Sequence, residues 1–222
     1  MLRAMKKTSL VIFDCDGVLV DTEIIGGAMF AEHARAEGYS GSHEMCLRLF
    51  RGRSMKSAIE IIEADLGRSL PADWGQDIIE EVEGIFRRSV DPIPHVHHVA
   101  DAIEKEGLAR CVASSARMSH VENSVEKIGL VDHFSGNLFS ATMVERGKPA
   151  PDLFLHAANT MVYAPEVSVV IEDSLPGVRA GVAAGMPVYG YVGDAVTDGR
   201  ALAEAGATVF DDMRKLPTLM GL

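Results

Sequence analysis

The stretch Asp14-Cys15-Asp16-Gly17-Val18-Leu19-Val20-Asp21-Thr22 sets two aspartates directly behind the apolar run Leu10–Phe13. Two carboxylates this close repel each other unless a cation bridges them or one keeps its proton. Alone, an Asp-x-Asp reads equally as a turn whose acids cap the next helix. Three further stretches change that balance. Val112-Ala113-Ser114-Ser115 presents hydroxyls, Gly147-Lys148-Pro149-Ala150-Pro151-Asp152 presents one lysine on a stiff turn, and Ile171-Glu172-Asp173-Ser174 presents a second acid pair. Each has an ordinary alternative: a helix cap for Ser114, a solvated turn for Lys148, a helix-dipole partner for Glu172 and Asp173. Together they suit phosphoryl transfer. Oxygen donors without histidine or cysteine favour magnesium, and a carboxylate can attack phosphorus covalently. A lysine, a hydroxyl and a metal ion offset the charge that spreads over the phosphoryl oxygens.

Such groups must be gathered at one edge of a sheet. Six runs read as strands: 10–13, 109–113, 137–140, 168–171, 188–192 and 208–210. Several are apolar throughout, as strands covered on both faces are. Helical spacing relates Val96, Val99 and Ile103, then Val121, Val125 and Ile128, then Phe154, Ala157 and Ala158, then Val178 and Val182. Strand and helix alternating in this way predict an α/β fold with right-handed crossovers. In an open parallel sheet, ligands bind beyond the carboxyl ends of the strands, where all four stretches fall.

One interval breaks the alternation. From about Thr22 to about Val90 there are helical stripes and no strand: Met55, Ile59, Ile62 and Leu66 form one, and Ile78, Val82 and Ile85 another. Gly67, Pro71 and Gly75 punctuate it, and Asp91-Pro92-Ile93-Pro94 reads as the link back. The expected division is a Rossmann-like core of residues 1–21 and 91–222, its parallel sheet sandwiched by helices, with residues 22–90 as an inserted helical module.

The 222 residues carry a net charge of −11, which argues against nucleic acid or an anionic membrane as partner. Cys15, Cys46 and Cys111 are too few and too widely spaced for a disulfide framework or a zinc site, so a reducing, cytoplasmic setting is expected. The basic start is followed by an apolar run that Asp14 cuts short of a secretory h-region. No stretch reaches the length of a membrane helix. The expected state is a monomer or weak dimer.

In order, Asp14-x-Asp16-Gly17 with Asp21-Thr22, Ser114, Lys148-Pro149 and Glu172-Asp173-Ser174 resemble the four motifs of the haloacid dehalogenase superfamily. Nearly the whole chain takes part, and the likeness is to the β-phosphoglucomutase-like branch, with 139–185 similar to 6-phosphogluconate phosphatases. The resemblance implies that residues 22–90 are a four-helix cap and that Asp14 is the nucleophile forming an aspartyl-phosphate. It implies that Asp16 protonates the leaving oxygen and then activates water. Ser114 and Lys148 would hold the phosphoryl group, with backbone N–H groups of Cys15 and Asp16 helping. Mg2+ would be held by the Asp14 carboxylate, the Asp16 carbonyl, Asp173 and, directly or through water, Glu172. An acid at position 16 fits a phosphatase or a mutase. The mutase-like branch carries a histidine where this chain has Gly26, which favours hydrolysis. The expected activity is therefore Mg2+-dependent hydrolysis of a small sugar or sugar-acid phosphate, 6-phosphogluconate among them. Phosphomutase of the β-phosphoglucomutase type and phosphoglycolate phosphatase are the alternatives within the family. A receiver-type phospho-acceptor domain is the alternative outside it.

Arg51, Gly52, Arg53 and Lys56 read equally as a charged turn or as a loop whose cations suit an anionic substrate tail. With Thr22, Ser115 and Arg117, Arg51 and Arg53 complete the candidate substrate-binding set. Cys15 reads as a core cysteine, since no neighbouring histidine is apparent. His95, His97 and His98 read as a solvated helix start. Gly177, Gly181 and Gly185 read as close helix-on-sheet packing rather than a dinucleotide fingerprint.

Overall fold

The structure is a computed structural model that describes residues 8–21, 23–51, 55–86, 88, 90–134, 136–194 and 197–222, with the backbone alone at 23, 24, 48, 50, 51 and 57. The first strand, β1 (Leu10–Phe13), is buried at every position. Four helices follow: α1 (Glu23–Ala36), α2 (His43–Arg51), α3 (Met55–Leu66) and α4 (Trp74–Phe86). Next come α5 (Val96–Lys105), β2 (Ala109–Ser114), α6 (Met118–Lys127), α7 (Val131–Phe134) and β3 (Leu138–Ser140). The chain ends with α8 (Asp152–Thr160), β4 (Ser168–Glu172), α9 (Leu175–Ala183), β5 (Val188–Tyr191), α10 (Gly199–Glu204), β6 (Thr208–Phe210) and α11 (Leu216–Met220).

The chain divides into two compact units, one of Met1–Val20 with Asp91–Leu222 and the other of Asp21–Val90. In the larger unit the six strands form one parallel sheet in the order β3-β2-β1-β4-β5-β6. The order in which the chain lays down its strands reverses beside β1, running to β2 and β3 on one side and to β4, β5 and β6 on the other, so the crevice between the carboxyl ends of β1 and β4 is the expected ligand position. Register aligns those ends. Phe13 pairs with Val112 on one side and Ile171 on the other.

Side chains alternate faces along a strand. Leu10 and Ile12 pack with Phe154, Ala157 and Val178 on one side, whereas Phe13 meets Phe134 edge-on at 5.5 Å on the other. The same alternation carries past the strand end. Asp14 continues the face of Leu10 and Ile12, toward α8. Cys15 turns to the opposite face, where its thiol meets Ser124 of α6.

Some sequence readings need correction. Val182 is 43% exposed, because α9 lays Gly177, Val178, Ala180 and Gly181 on the sheet instead. Gly185 lies beyond α9, in the left-handed region at φ 76°, and closes the helix rather than packing within it. Gly75 falls inside α4, against Met55 and Ile59, and does not interrupt a helix. The strands 109–113 and 168–171 each run one residue further, to Ser114 and Glu172. Short α7, α10 and α11 were not expected as helices.

In the smaller unit Phe30 meets Trp74 edge-on at 5.7 Å over a core of Cys46, Ile62, Ile78 and Val82. Gly27 lets α1 approach Leu47 of α2, where any Cβ would collide. The three cysteines are free and buried. Among the described residues no helix is long and apolar enough to cross a membrane.

Candidate active site

At the crevice between β1 and β4, the backbone fixes Asp14 first. Its N–H donates to the Ile171 carbonyl at 2.9 Å. Lys148 arrives from the turn before α8, and its ammonium donates to Asp14 Oδ1 at 2.6 Å and Glu172 Oε1 at 2.7 Å. The Lys148 side chain is only 4% exposed, and its Nζ lies 4.9 Å from the centre of the Phe154 ring. The other oxygen of Glu172 accepts from the Asp173 and Ser174 N–H groups and the Ser174 hydroxyl at 2.8–2.9 Å. Ser174 in turn caps α9 by accepting from Gly177 N–H at 3.2 Å. Glu172 is thus saturated and ties lysine, acid loop and helix start together.

Asp14, Glu172 and Asp173 are all buried, and each can offer an oxygen within 4.8 Å of the others. Burial pushes the Asp14 carboxyl up to about 7, aided by the charge of Glu172 and opposed by Lys148. Burial alone would discharge Lys148, but Asp14 and Glu172 hold its pKa above the ordinary lysine value. Three carboxyl groups share this buried cluster with one ammonium, an excess of acid that a divalent cation with oxygen ligands would neutralise. Gly17, at φ 79°, turns the chain sharply here, and a Cβ on it would overlap the Asp173 carboxylate. The loop closes on itself through Gly17 N–H to Val20 O and Leu19 N–H to Cys15 O, both 2.8 Å.

Ser114 ends β2 and is buried, its hydroxyl accepting from Ala116 N–H at 3.0 Å. Ser140, at the end of β3, braces the same loop by donating to Ala116 O at 2.6 Å. Ser115 and Arg117 are exposed beyond the strand, and neither makes a described contact with the carboxylates. Thr22 and Arg53 lie outside the described residues, as does the side chain of Arg51, whose backbone ends α2.

The sequence reading missed His120. Its Nε2 lies 2.8 Å from Asp16 Oδ1, and Cys15, Asp16 and His120 can bring ligand atoms within 4.8 Å. Cys15 therefore does have a histidine neighbour. A separation of 104 residues in the chain hid it. Cys15 itself is buried and its thiol is pushed well up by burial and by Asp16 and Asp14, so it is an inert core thiol rather than a nucleophile. The surface group Asp101, Glu104 and His133 was missed too, and Arg110 shares it at 3.2 Å from Glu104.

A buried acid, a lysine and an acid pair at the switch point of a parallel sheet are groups of the kind that phosphoryl transfer uses. Residues 11–191 match the family model described as haloacid dehalogenase-like hydrolase. The chain is 27% identical over 216 residues to 6-phosphogluconate phosphatase of Escherichia coli, covering 97% of this chain and 96% of that one. It is 28% identical to a phosphorylated carbohydrates phosphatase of Thermotoga maritima, over 89% and 91% of the two chains. Among solved structures, a conserved haloacid dehalogenase-like protein of unknown function from Agrobacterium tumefaciens superposes with a TM-score of 0.88 at 32% identity, over 96% and 98%. The chain belongs to the haloacid dehalogenase-like hydrolases, in their β-phosphoglucomutase-like branch, and is a phosphatase. That membership sets aside the receiver-type reading.

Proposed function

We propose that the protein is a Mg2+-dependent phosphatase of a sugar or sugar-acid phosphate, with 6-phosphogluconate the first candidate, working through an aspartyl-phosphate on Asp14. The observation that carries this reading is the contact of Lys148 with both Asp14 and Glu172 at the end of β1. An Asp14 oxygen attacks phosphorus and the bond to the leaving oxygen breaks. Asp16 supplies the proton that the leaving oxygen needs. A water then attacks the same phosphorus, Asp16 takes its proton, and Asp14 is regenerated as phosphate departs. Lys148 offsets charge on the nucleophile and the transferring group, and the Ser114 hydroxyl is the donor for a phosphoryl oxygen.

Asp14, Asp173 and the Asp16 carbonyl, with Glu172 beside them, are the residues that would hold Mg2+. The three-carboxylate oxygen set fits a hard cation. When bound, the ion supplies charge neutralisation between nucleophile and phosphoryl oxygens. On the same reading residues 22–90 serve as the cap, and Thr22, Arg51, Arg53, Ser115 and Arg117 handle the remainder of the substrate. Support for a sugar-acid phosphate comes from the likeness to the Escherichia coli enzyme.

The test is phosphate release from a panel of sugar, sugar-acid and two-carbon acid phosphates with and without Mg2+. Sustained release that needs Mg2+ and is lost in Asp14→Asn is the expected result. Turnover by Asp14→Asn at the native rate would overturn the role of that residue.

A further inference from the structure

Asp16 projects from a loop whose backbone is pinned on both sides. Gly17 and Leu19 bond back within it, and Asp16 pairs with Val20 in an isolated bridge. Its carboxylate is carried on two side-chain rotors beyond that pinned backbone. His120 bears on it from the first turn of α6, where its own backbone N–H bonds Arg117 O at 3.0 Å. The helix is rigid, and α6 follows directly on the Ser114 loop, so the imidazole has a fixed origin. Asp16 Oδ1 can accept whether the carboxyl is ionised or carries its proton on the other oxygen. The 2.8 Å contact is accordingly His120 Nε2–H donating to Asp16 Oδ1. The side chains are 20% and 29% exposed, so the pair stands at the mouth of the site, not in the core.

We propose that His120 is a positioning residue: it holds one oxygen of Asp16 and so aims the other at the leaving oxygen of the substrate. The proposal rests on the acid–base role given to Asp16 above. His120 itself need not touch the phosphoryl group. General acid catalysis depends on reach within hydrogen-bond distance, so a carboxyl free to rotate spends less time where it can deliver a proton.

The experiment compares leaving groups. Departure of an alkoxide from a sugar phosphate needs the proton from Asp16, whereas p-nitrophenolate leaves without one. Values of kcat/KM report the steps up to loss of the leaving group and exclude hydrolysis of the aspartyl-phosphate. His120→Ala should lower kcat/KM for a sugar phosphate by ~10-fold or more, a share of the ~100–10,000-fold that a general acid contributes. For p-nitrophenyl phosphate it should change by less than about threefold. His120→Gln, which keeps an N–H donor at similar reach, should recover most of the loss. Asp16→Asn is measured alongside and should show the same selectivity, only larger. If Asp16→Asn discriminates and His120→Ala does not, His120 has no positioning role. If His120→Ala depresses both substrates equally, its role is structural and the proposal is overturned. If Asp16→Asn itself does not discriminate, the acid role of Asp16 fails and takes this proposal with it.

Discussion

Gly177 of α9 rests against the carboxylate of Glu172, so closely that a Cβ at 177 would overlap it. The glycine is needed for space, since the helix start must come down onto the acid that grips Lys148. Gly177→Ala should cost about 1–3 kcal/mol by overpacking. It should also lower phosphatase activity, because the Glu172 oxygen that such a Cβ would strike first is the one that accepts from Lys148. Thermal denaturation and phosphate release read the two effects. Native activity in a folded Gly177→Ala variant would show that Glu172 does not set the position of Lys148.

Lys148 is buried between two carboxylates, and removing it leaves both without a counter-charge. Breaking one side of a buried ion pair costs roughly 3–5 kcal/mol. Lys148→Met should therefore unfold more easily in chelator and regain part of its stability when Mg2+ is added, while turnover stays lost. A melting temperature equal to the native protein's in chelator would contradict this account.

The pH dependence follows from Asp14, whose carboxyl titrates about 7 in the fold against an ordinary value of 3.8. Between those values the folded chain holds a proton that the unfolded chain has released, so this group makes the metal-free fold less stable as pH rises through the window. Cation binding needs the carboxylate ionised. The rise in melting temperature produced by Mg2+ should therefore grow as pH increases through about 7 and shrink below it. Asp14→Asn, which cannot titrate, should flatten both trends. Melting curves with Mg2+ and with chelator across that range check the sign, and an Mg2+ effect independent of pH in the native protein would refute it.

The parts of the site that were legible in the sequence are those where chemistry sits directly behind a buried strand. Leu10–Phe13 is apolar throughout and ends in Asp14, so strand, edge and nucleophile can be read in one pass. The same holds for Ile171 with Glu172 and for Ala113 with Ser114. His120 was not legible, because it lies in a polar stretch of α6 and only the packing of that helix beside the Asp16 loop gives it a partner. Val182 shows the opposite failure. It fits the helical spacing from Val178, but small residues on α9 already fill the face against the sheet. The bracing of the Ser114 loop by Ser140 was likewise invisible, since β3 had first to be placed beside β2.

Substrate choice separates the charge of the 51–56 segment from the chemistry at Asp14. Arg51, Arg53 and Lys56 bring three cations into six residues of a chain whose net charge is −11. An arginine matches a carboxylate or a second phosphate with paired N–H donors. Arg51→Ala and Arg53→Ala should raise KM for 6-phosphogluconate, each by ~10-fold or more if the guanidinium meets the substrate carboxylate, since a charge-assisted hydrogen bond contributes about 1.5–3 kcal/mol. On p-nitrophenyl phosphate, which has no second anionic group, the same variants should stay within about threefold of the native value. Steady-state kinetics on both substrates decides the matter. Equal losses on the two would move Arg51 and Arg53 from substrate selection to the folding of the segment they occupy.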